Sequence, residues 1–109
     1  GLDSKIELIL GKAIDSLDSI AGKSFDLVFI DADKENCVNY FNKVINMVRP
    51  GGLIITDNTL RRGAVLDLNP GHATQGILSY NKLVANNSRV KKLMEKKIFK
   101  IKKFVYGYR

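Results

Sequence analysis

At 109 residues the chain has the length of one domain, and a chain of that size buries roughly 65% of its unfolded surface, enough for a core without staples. Its single cysteine, Cys37, excludes an internal disulfide framework and a multi-cysteine zinc site, and no apolar run approaches the ~20 residues of a membrane helix. The formal net charge of +7 is uneven: residues 89–109 hold nine Lys or Arg and one acid, a balance of +8, whereas residues 1–88 hold nine bases and ten acids, a balance of −1.

In chain order, Lys5–Leu10 reads as a short strand closed by Gly11. Ala13 to Ile20 suits a helix with Ile14, Leu17 and Ile20 on one face. Phe25–Ile30 is a strand whose apolar end suits a parallel strand covered on both faces. Val38, Phe41, Val44, Ile45 and Val48 repeat at helical spacing, and this helix is expected to stop before Arg49-Pro50-Gly51-Gly52. Leu53–Thr56 is a second buried strand, and the polar stretch from Thr59 to Ala73 reads as a long loop. Thr74 to Ala85 suits a helix with Ile77, Leu78 and Leu83 inward. From Val90 onward apolar residues alternate with lysines, giving two strands expected as an antiparallel pair at one sheet edge; helix and strand are hard to separate over Arg89 to Lys97. The alternation of strand and helix means an α/β fold with parallel strands joined by right-handed crossovers. The tail lysines read first as a solvated edge that blocks strand-to-strand aggregation, and second as a basic patch for nucleic acid, with Phe99, Phe104, Tyr106 and Tyr108 as stacking groups.

Ligands of open α/β sheets bind beyond the carboxyl ends of the strands, and here two strands end in acids: Ile30 leads into Asp31, and Thr56 into Asp57-Asn58. Neighbouring strands lie about 4.8 Å apart, so Asp31, Asp57 and Asn58 can converge on one point. Two carboxylates and an amide oxygen are hard ligands suited to Mg²⁺, Mn²⁺ or Ca²⁺. The plainer alternative is that Asp31 or Asp33 caps the next helix and Asp57-Asn58 only forms a turn; spacing does not decide. No phosphate loop, nucleophile elbow or histidine pair is present. Cys37 reads as a packing residue and His72 as a surface histidine.

The segments Phe25-Asp-Leu-Val-Phe-Ile-Asp-Ala-Asp-Lys34 and Arg49-Pro-Gly-Gly-Leu-Ile-Ile-Thr-Asp-Asn58 together resemble the cation-dependent O-methyltransferases that use S-adenosylmethionine, the group of catechol and caffeoyl-CoA O-methyltransferases. Gly1 to Leu8 and Gly11-Lys12-Ala13 are similar to the family's preceding stretch. The resemblance implies a Rossmann-like class I methyltransferase sheet with strand order 3-2-1-4-5-7-6. It implies that Asp31, Asp57 and Asn58 hold a divalent cation, Mg²⁺ first and Mn²⁺ or Ca²⁺ as alternatives. It also implies that Lys34 is the general base and that Ala13, Asp31, Asp33 and Tyr40 contact S-adenosylmethionine. The partners it implies are a small-molecule methyl acceptor and a second copy of the chain in a dimer, with nucleic acid and membrane disfavoured. A cytoplasmic location is the default for a chain with a lone thiol and no visible leader.

The departures from the family are specific. Its glycine-rich loop and its ribose-binding acid do not occur in these residues, and the chain starts at Gly1 instead of Met. The expectation is therefore that residues 1–109 are the C-terminal portion of one methyltransferase domain whose first two strands lie upstream, and that this portion alone binds S-adenosylmethionine poorly. Arg61 and Arg62 stand where the family often has an aromatic residue, and Lys96-Lys97-Ile98-Phe99 replaces its Asp-Gly-Leu segment. The competing functions are a catalytically inactive methyltransferase-like interaction module and a basic nucleic-acid-binding domain.

Overall fold

The computed structural model describes residues 1–94 and 103–108, with backbone alone considered from residue 92 onward. Three helices, α1 (Ala13–Ser19), α2 (Cys37–Val44) and α3 (His72–Ala85), accompany four strands, β1 (Phe25–Ile30), β2 (Val48–Asp57), β3 (Val90–Met94) and β4 (Lys103–Tyr108). The strands form one sheet in the order β1-β2-β4-β3. β1 and β2 are parallel, whereas β4 runs antiparallel to both β2 and β3. The expected parallel pair and antiparallel tail pair are thus both present, in the 4-5-7-6 portion of the sheet order that the resemblance implies. β4 inserts beside β2, so the last strand in sequence is not the last in space.

The core lies on one side of this sheet. Val28 and Ile30 of β1 pair with Ile54 and Thr56 of β2 and share a face. Against it pack Cys37, Tyr40, Phe41 and Val44 of α2 and Ile77, Tyr80 and Val84 of α3. Ile54, Phe41, Ile77 and Tyr80 are fully buried, and each such side chain contributes about 1.5–3 kcal/mol of hydrophobic stabilisation. The inward set of α3 differs from the expected one: Ile77, Tyr80 and Val84 are buried, while Leu78 is exposed and Leu83 only partly covered. Spacings of three and four residues put 77, 80 and 84 on one stripe, and the tyrosine hydroxyl is accommodated by a 2.6 Å hydrogen bond with Thr56 Oγ1.

Three further expectations are corrected. No strand forms over residues 5–10; Asp3–Lys5 makes a single 3₁₀ turn, after which Ile6, Leu8 and Leu10 stand exposed. A strand needs a neighbour for its backbone groups, and no described segment offers one. β1 is covered on one face instead of two: on the other, Leu27, Phe29 and Leu53 are 49%, 47% and 37% exposed, because α2 and α3 both join the core on the Ile54 side. Finally, α2 ends at Val44 instead of running on to Val48, and β2 begins at Val48, so the Arg49–Gly52 segment expected to follow the helix belongs to the strand. The register jumps there, from Phe25↔Val48 to Leu27↔Leu53, so the segment bulges out of the ladder. Gly52 permits it: a Cβ would lie 2.9 Å from the Asp26 carbonyl oxygen of the neighbouring strand.

Within the expected loop from Thr59 to Ala73, Arg61–Leu66 forms a kinked 3₁₀ segment, and α3 starts at His72. The replacement segment Lys96–Phe99 lies outside the described residues. Among the described residues no helix is long and apolar enough to cross a membrane.

Candidate active site

The parallel register brings the two acidic strand ends together. Ile30 pairs with Thr56, so Asp31 and Asp57 follow as neighbours at the carboxyl edge of the sheet. β2 closes sharply after Asp57, since Asn58 takes a left-handed φ of 59°, a conformation asparagine tolerates better than most residues. The Asn58 backbone N–H donates to Asp57 Oδ1 at 2.9 Å, which holds that carboxylate against the turn.

Lys34 occupies the gap between the strand ends. Its side chain is only 12% exposed. The ammonium donates to Asp31 Oδ1 at 3.3 Å and to the Asp57 carbonyl oxygen at 3.1 Å. The lysine sits in the 3₁₀ turn Lys34–Asn36 that links β1 to α2, so its place is set by the strand end on one side and the helix start on the other. The gap already satisfies a cation with oxygen ligands from both strands. The register makes Asp31 and Asp57 neighbours, with Asn58 next in the chain; two carboxylates and an amide oxygen are the donor types of a hard divalent ion, so by chemistry these residues fit the ion the resemblance implies. Among the described residues no three His, Cys, Asp or Glu side chains gather, so a cation site here depends on the Asn58 amide and on water or substrate oxygens.

The other matched positions lie beside this gap. A cavity of about 240 Å³ runs between α1 and the outer edge of β1, and Ala13, Asp31 and Tyr40 line it together with Ile9 and Val28. Sites for drug-sized ligands span about 300–1,000 Å³, so this one accommodates part of such a ligand. Asp33 does not line it. It lies behind Tyr40, whose hydroxyl donates to Asp33 Oδ1, while Asn36 Nδ2 donates to Oδ2. Asp33 lies in extended backbone just ahead of the 3₁₀ turn and Tyr40 lies in α2, so the contact closes across the β1–α2 junction.

These contacts shift both groups. The Tyr40 hydrogen bond, and then that of Asn36, hold the Asp33 carboxyl below its ordinary value of 3.8. Burial, and then the bond to Asp33, push the Tyr40 phenol up to about 12, so it remains a donor through the neutral range. Because the folded pKa of Asp33 is lowered, the stability it contributes is present above its unfolded value of 3.8 and is lost as the pH falls through the lowered one. Tyr40→Phe removes the principal cause. The Asp33 carboxyl should then titrate at higher pH in a carbon-detected NMR titration, and the stabilities of the two proteins, compared by urea unfolding, should converge as the pH falls through the lowered value. Cys37 is buried, its thiol pushed up by that burial, which agrees with packing and not nucleophilic work.

A ring of support around the site was not apparent in the sequence. Tyr80 of α3 bonds Thr56, the residue before Asp57, and Asn81 Nδ2 donates to the Thr59 carbonyl at 2.9 Å, just after Asn58. Gly76 of α3 lies against the backbone of Lys34 and Glu35. A buried tyrosine at helical spacing from Ile77 and Val84 was the available signal; its partner, 24 residues away, was not.

The sequence profile of the O-methyltransferase family matches residues 1–98. The catechol O-methyltransferase of Niastella koreensis is 40% identical over 94 residues, which cover 83% of this chain and 42% of that protein. The one from Mycobacterium tuberculosis is 47% identical over 66 residues, covering 61% of this chain and 30% of that protein. Among solved structures, an O-methyltransferase from Bacillus cereus in complex with SAH aligns with a TM-score of 0.73 at 36% identity, covering 88% of this chain and 46% of the other. Cofactor-bound Rv0187 from MTB aligns with a TM-score of 0.86 at 28% identity, covering 97% and 50%. The chain thus spans less than half the length of these two curated relatives. With a family match that runs over most of its length and a fold shared with solved members, the chain belongs to the O-methyltransferase family.

Proposed function

We propose that this chain forms the acceptor-activating portion of an S-adenosylmethionine-dependent O-methyltransferase acting on a catechol-type or related small hydroxylated acceptor. The observation that carries the reading is the Lys34 ammonium held between Asp31 and the Asp57 carbonyl at two adjacent strand ends, beside a cavity lined by Ala13, Asp31 and Tyr40. The names of the relatives, catechol and caffeoyl-CoA O-methyltransferases, support the acceptor class, and the SAH in the Bacillus cereus structure supports the methyl donor.

In this reading Asp31, Asp57 and Asn58 hold a divalent cation, Mg²⁺ in the first instance. Ala13, Asp31 and Tyr40 face the methyl donor, and Asp33 fixes the Tyr40 hydroxyl. Bound there, the donor supplies an electrophilic methyl group, and the cation lowers the pKa of a hydroxyl coordinated to it. Lys34 Nζ, in its neutral form, takes the proton from the acceptor hydroxyl. Placing Lys34 and both strand ends within hydrogen-bond reach of one another lets the site hold acceptor and donor in contact, a principal source of rate in bimolecular transfer.

The cofactor portion of the site is proposed to come from residues outside these 109. The position of β1 at the end of the described sheet order, the exposure of Leu27 and Phe29 and the small size of the cavity support that division, as does the span of the relatives. A dimeric state and a cytoplasmic location remain part of the proposal. The exposure of Leu27, Phe29 and Leu53 on one sheet face also favours a second reading, a non-catalytic module that works by association. Isothermal titration separates the cases: the full-length protein with Mg²⁺ should bind S-adenosylmethionine and methylate a catechol, whereas residues 1–109 alone should bind it poorly. Micromolar binding by the 109 residues alone would overturn the division. Full-length protein that binds neither donor nor acceptor would favour the module.

A further inference from the structure

Helix α3 touches both halves of the strand-end gap without contributing a ligand to it. A Cβ at Gly76 would lie 2.5 Å from the Lys34 carbonyl oxygen and 2.8 Å from Glu35 Cα. Both atoms are backbone, so no side chain can swing aside, and α3 passes the Lys34 turn at a distance only glycine permits. One turn further along, Tyr80 is fully buried. Its hydroxyl shares a 2.6 Å hydrogen bond with Thr56 Oγ1, on the last residue before Asp57. Its ring meets Phe41 edge-to-face with centroids 5.8 Å apart, so the hydroxyl is aimed by that packing. Asn81, next in the chain, holds the Thr59 carbonyl beyond Asn58. A single helical face therefore grips the turn that carries Lys34 and the strand end that carries Asp57 and Asn58.

We propose that Gly76 and Tyr80 are positioning residues: Gly76 sets where Lys34 stands, Tyr80 sets where β2 ends, and together they keep Lys34 Nζ against the Asp57 carbonyl. A glycine in a helix interior is otherwise a liability of about 1 kcal/mol relative to alanine, so helix formation does not account for it, whereas close approach to Lys34 does. The effect on turnover rests on the reading of Lys34 as proton acceptor; the placement of Lys34 does not.

The test is brief acetylation of the folded full-length protein with acetic anhydride. Lys34 modification is read by peptide mass spectrometry against Lys43 and Lys23 in the same sample. In Gly76→Ala the Lys34 turn must move outward, and Lys34 should react about tenfold faster as local opening rises, with Lys43 and Lys23 unchanged. In the same variant kcat should fall while acceptor KM changes little. Tyr80→Phe, which keeps the ring, should raise Lys34 reactivity about threefold. Unchanged Lys34 reactivity in a folded Gly76→Ala protein overturns the inference. If that variant does not fold, Tyr80→Phe decides: a selective rise supports the inference and no rise overturns it. A wild-type enzyme without methyl transfer whose Lys34 is nevertheless released by Gly76→Ala would retire the catalytic reading and leave the positioning role standing. An active enzyme with an unmoved Lys34 would do the reverse.

Discussion

Lys34→Ala should lower the kcat of the full-length enzyme by about 10²–10⁴-fold, the range contributed by a positioned general base, while affinity for Mn²⁺ stays level or improves. The two parts of this outcome have one cause. Lys34 is nearly buried, and its ammonium bonds Asp31 Oδ1 and the Asp57 backbone carbonyl, so it competes for one of the groups proposed to bind the cation, the Asp31 carboxylate. Removing the ammonium frees that carboxylate, but it also removes the group placed to take the acceptor proton. Lys34→Arg should not rescue turnover, because a guanidinium does not give up its proton in this range. Stopped-flow or initial-rate kinetics beside a Mn²⁺ titration distinguish this from a structural role, in which kcat and ion affinity would fall together.

Phe41→Ala should destabilise the protein by about 3–5 kcal/mol, the usual cost of emptying a buried aromatic position. That is a large part of the about 5–15 kcal/mol by which a domain is stable. Phe41 is fully buried at the centre of the core, between α2 and the sheet, and its ring is one wall of the Tyr80 pocket. The loss should therefore reach the site through the Tyr80–Thr56 hydrogen bond. Urea denaturation monitored by circular dichroism measures the first effect. A change below about 1 kcal/mol, the level of an ordinary surface substitution, would show that α2 does not anchor the fold as described.

The elements that declare themselves in the sequence are those whose partners lie within them or beside them. Phe25–Ile30 and α2 follow from local apolar spacing, and the Asp31/Asp57 pairing follows from two strands that end in acids. The misses have a common physical origin in partners that are distant in the chain or that no described segment supplies. Residues 5–10 carry a good strand pattern, yet Ile6, Leu8 and Leu10 stay exposed because nothing described pairs with them. Leu27 and Phe29 read as doubly buried, but a strand does not encode whether its second face is covered. Val48 reads as the last residue of a helical stripe, though it opens β2 and pairs with Phe25. Gly76 and Tyr80 look like an ordinary helical glycine and tyrosine until the fold carries them to Lys34 and Thr56. The site's charged residues could be read from pattern, whereas the residues that hold them in place required the tertiary contacts.

The reading stands on one ion position. Crystals of the full-length protein soaked in Mn²⁺ and measured for anomalous scattering should show a peak bounded by the Asp31 carboxylate, the Asp57 carboxylate and the Asn58 amide oxygen, with Lys34 Nζ displaced from Asp31. An anomalous peak elsewhere in an intact fold, with Lys34 still seated between Asp31 and Asp57, would contradict the account.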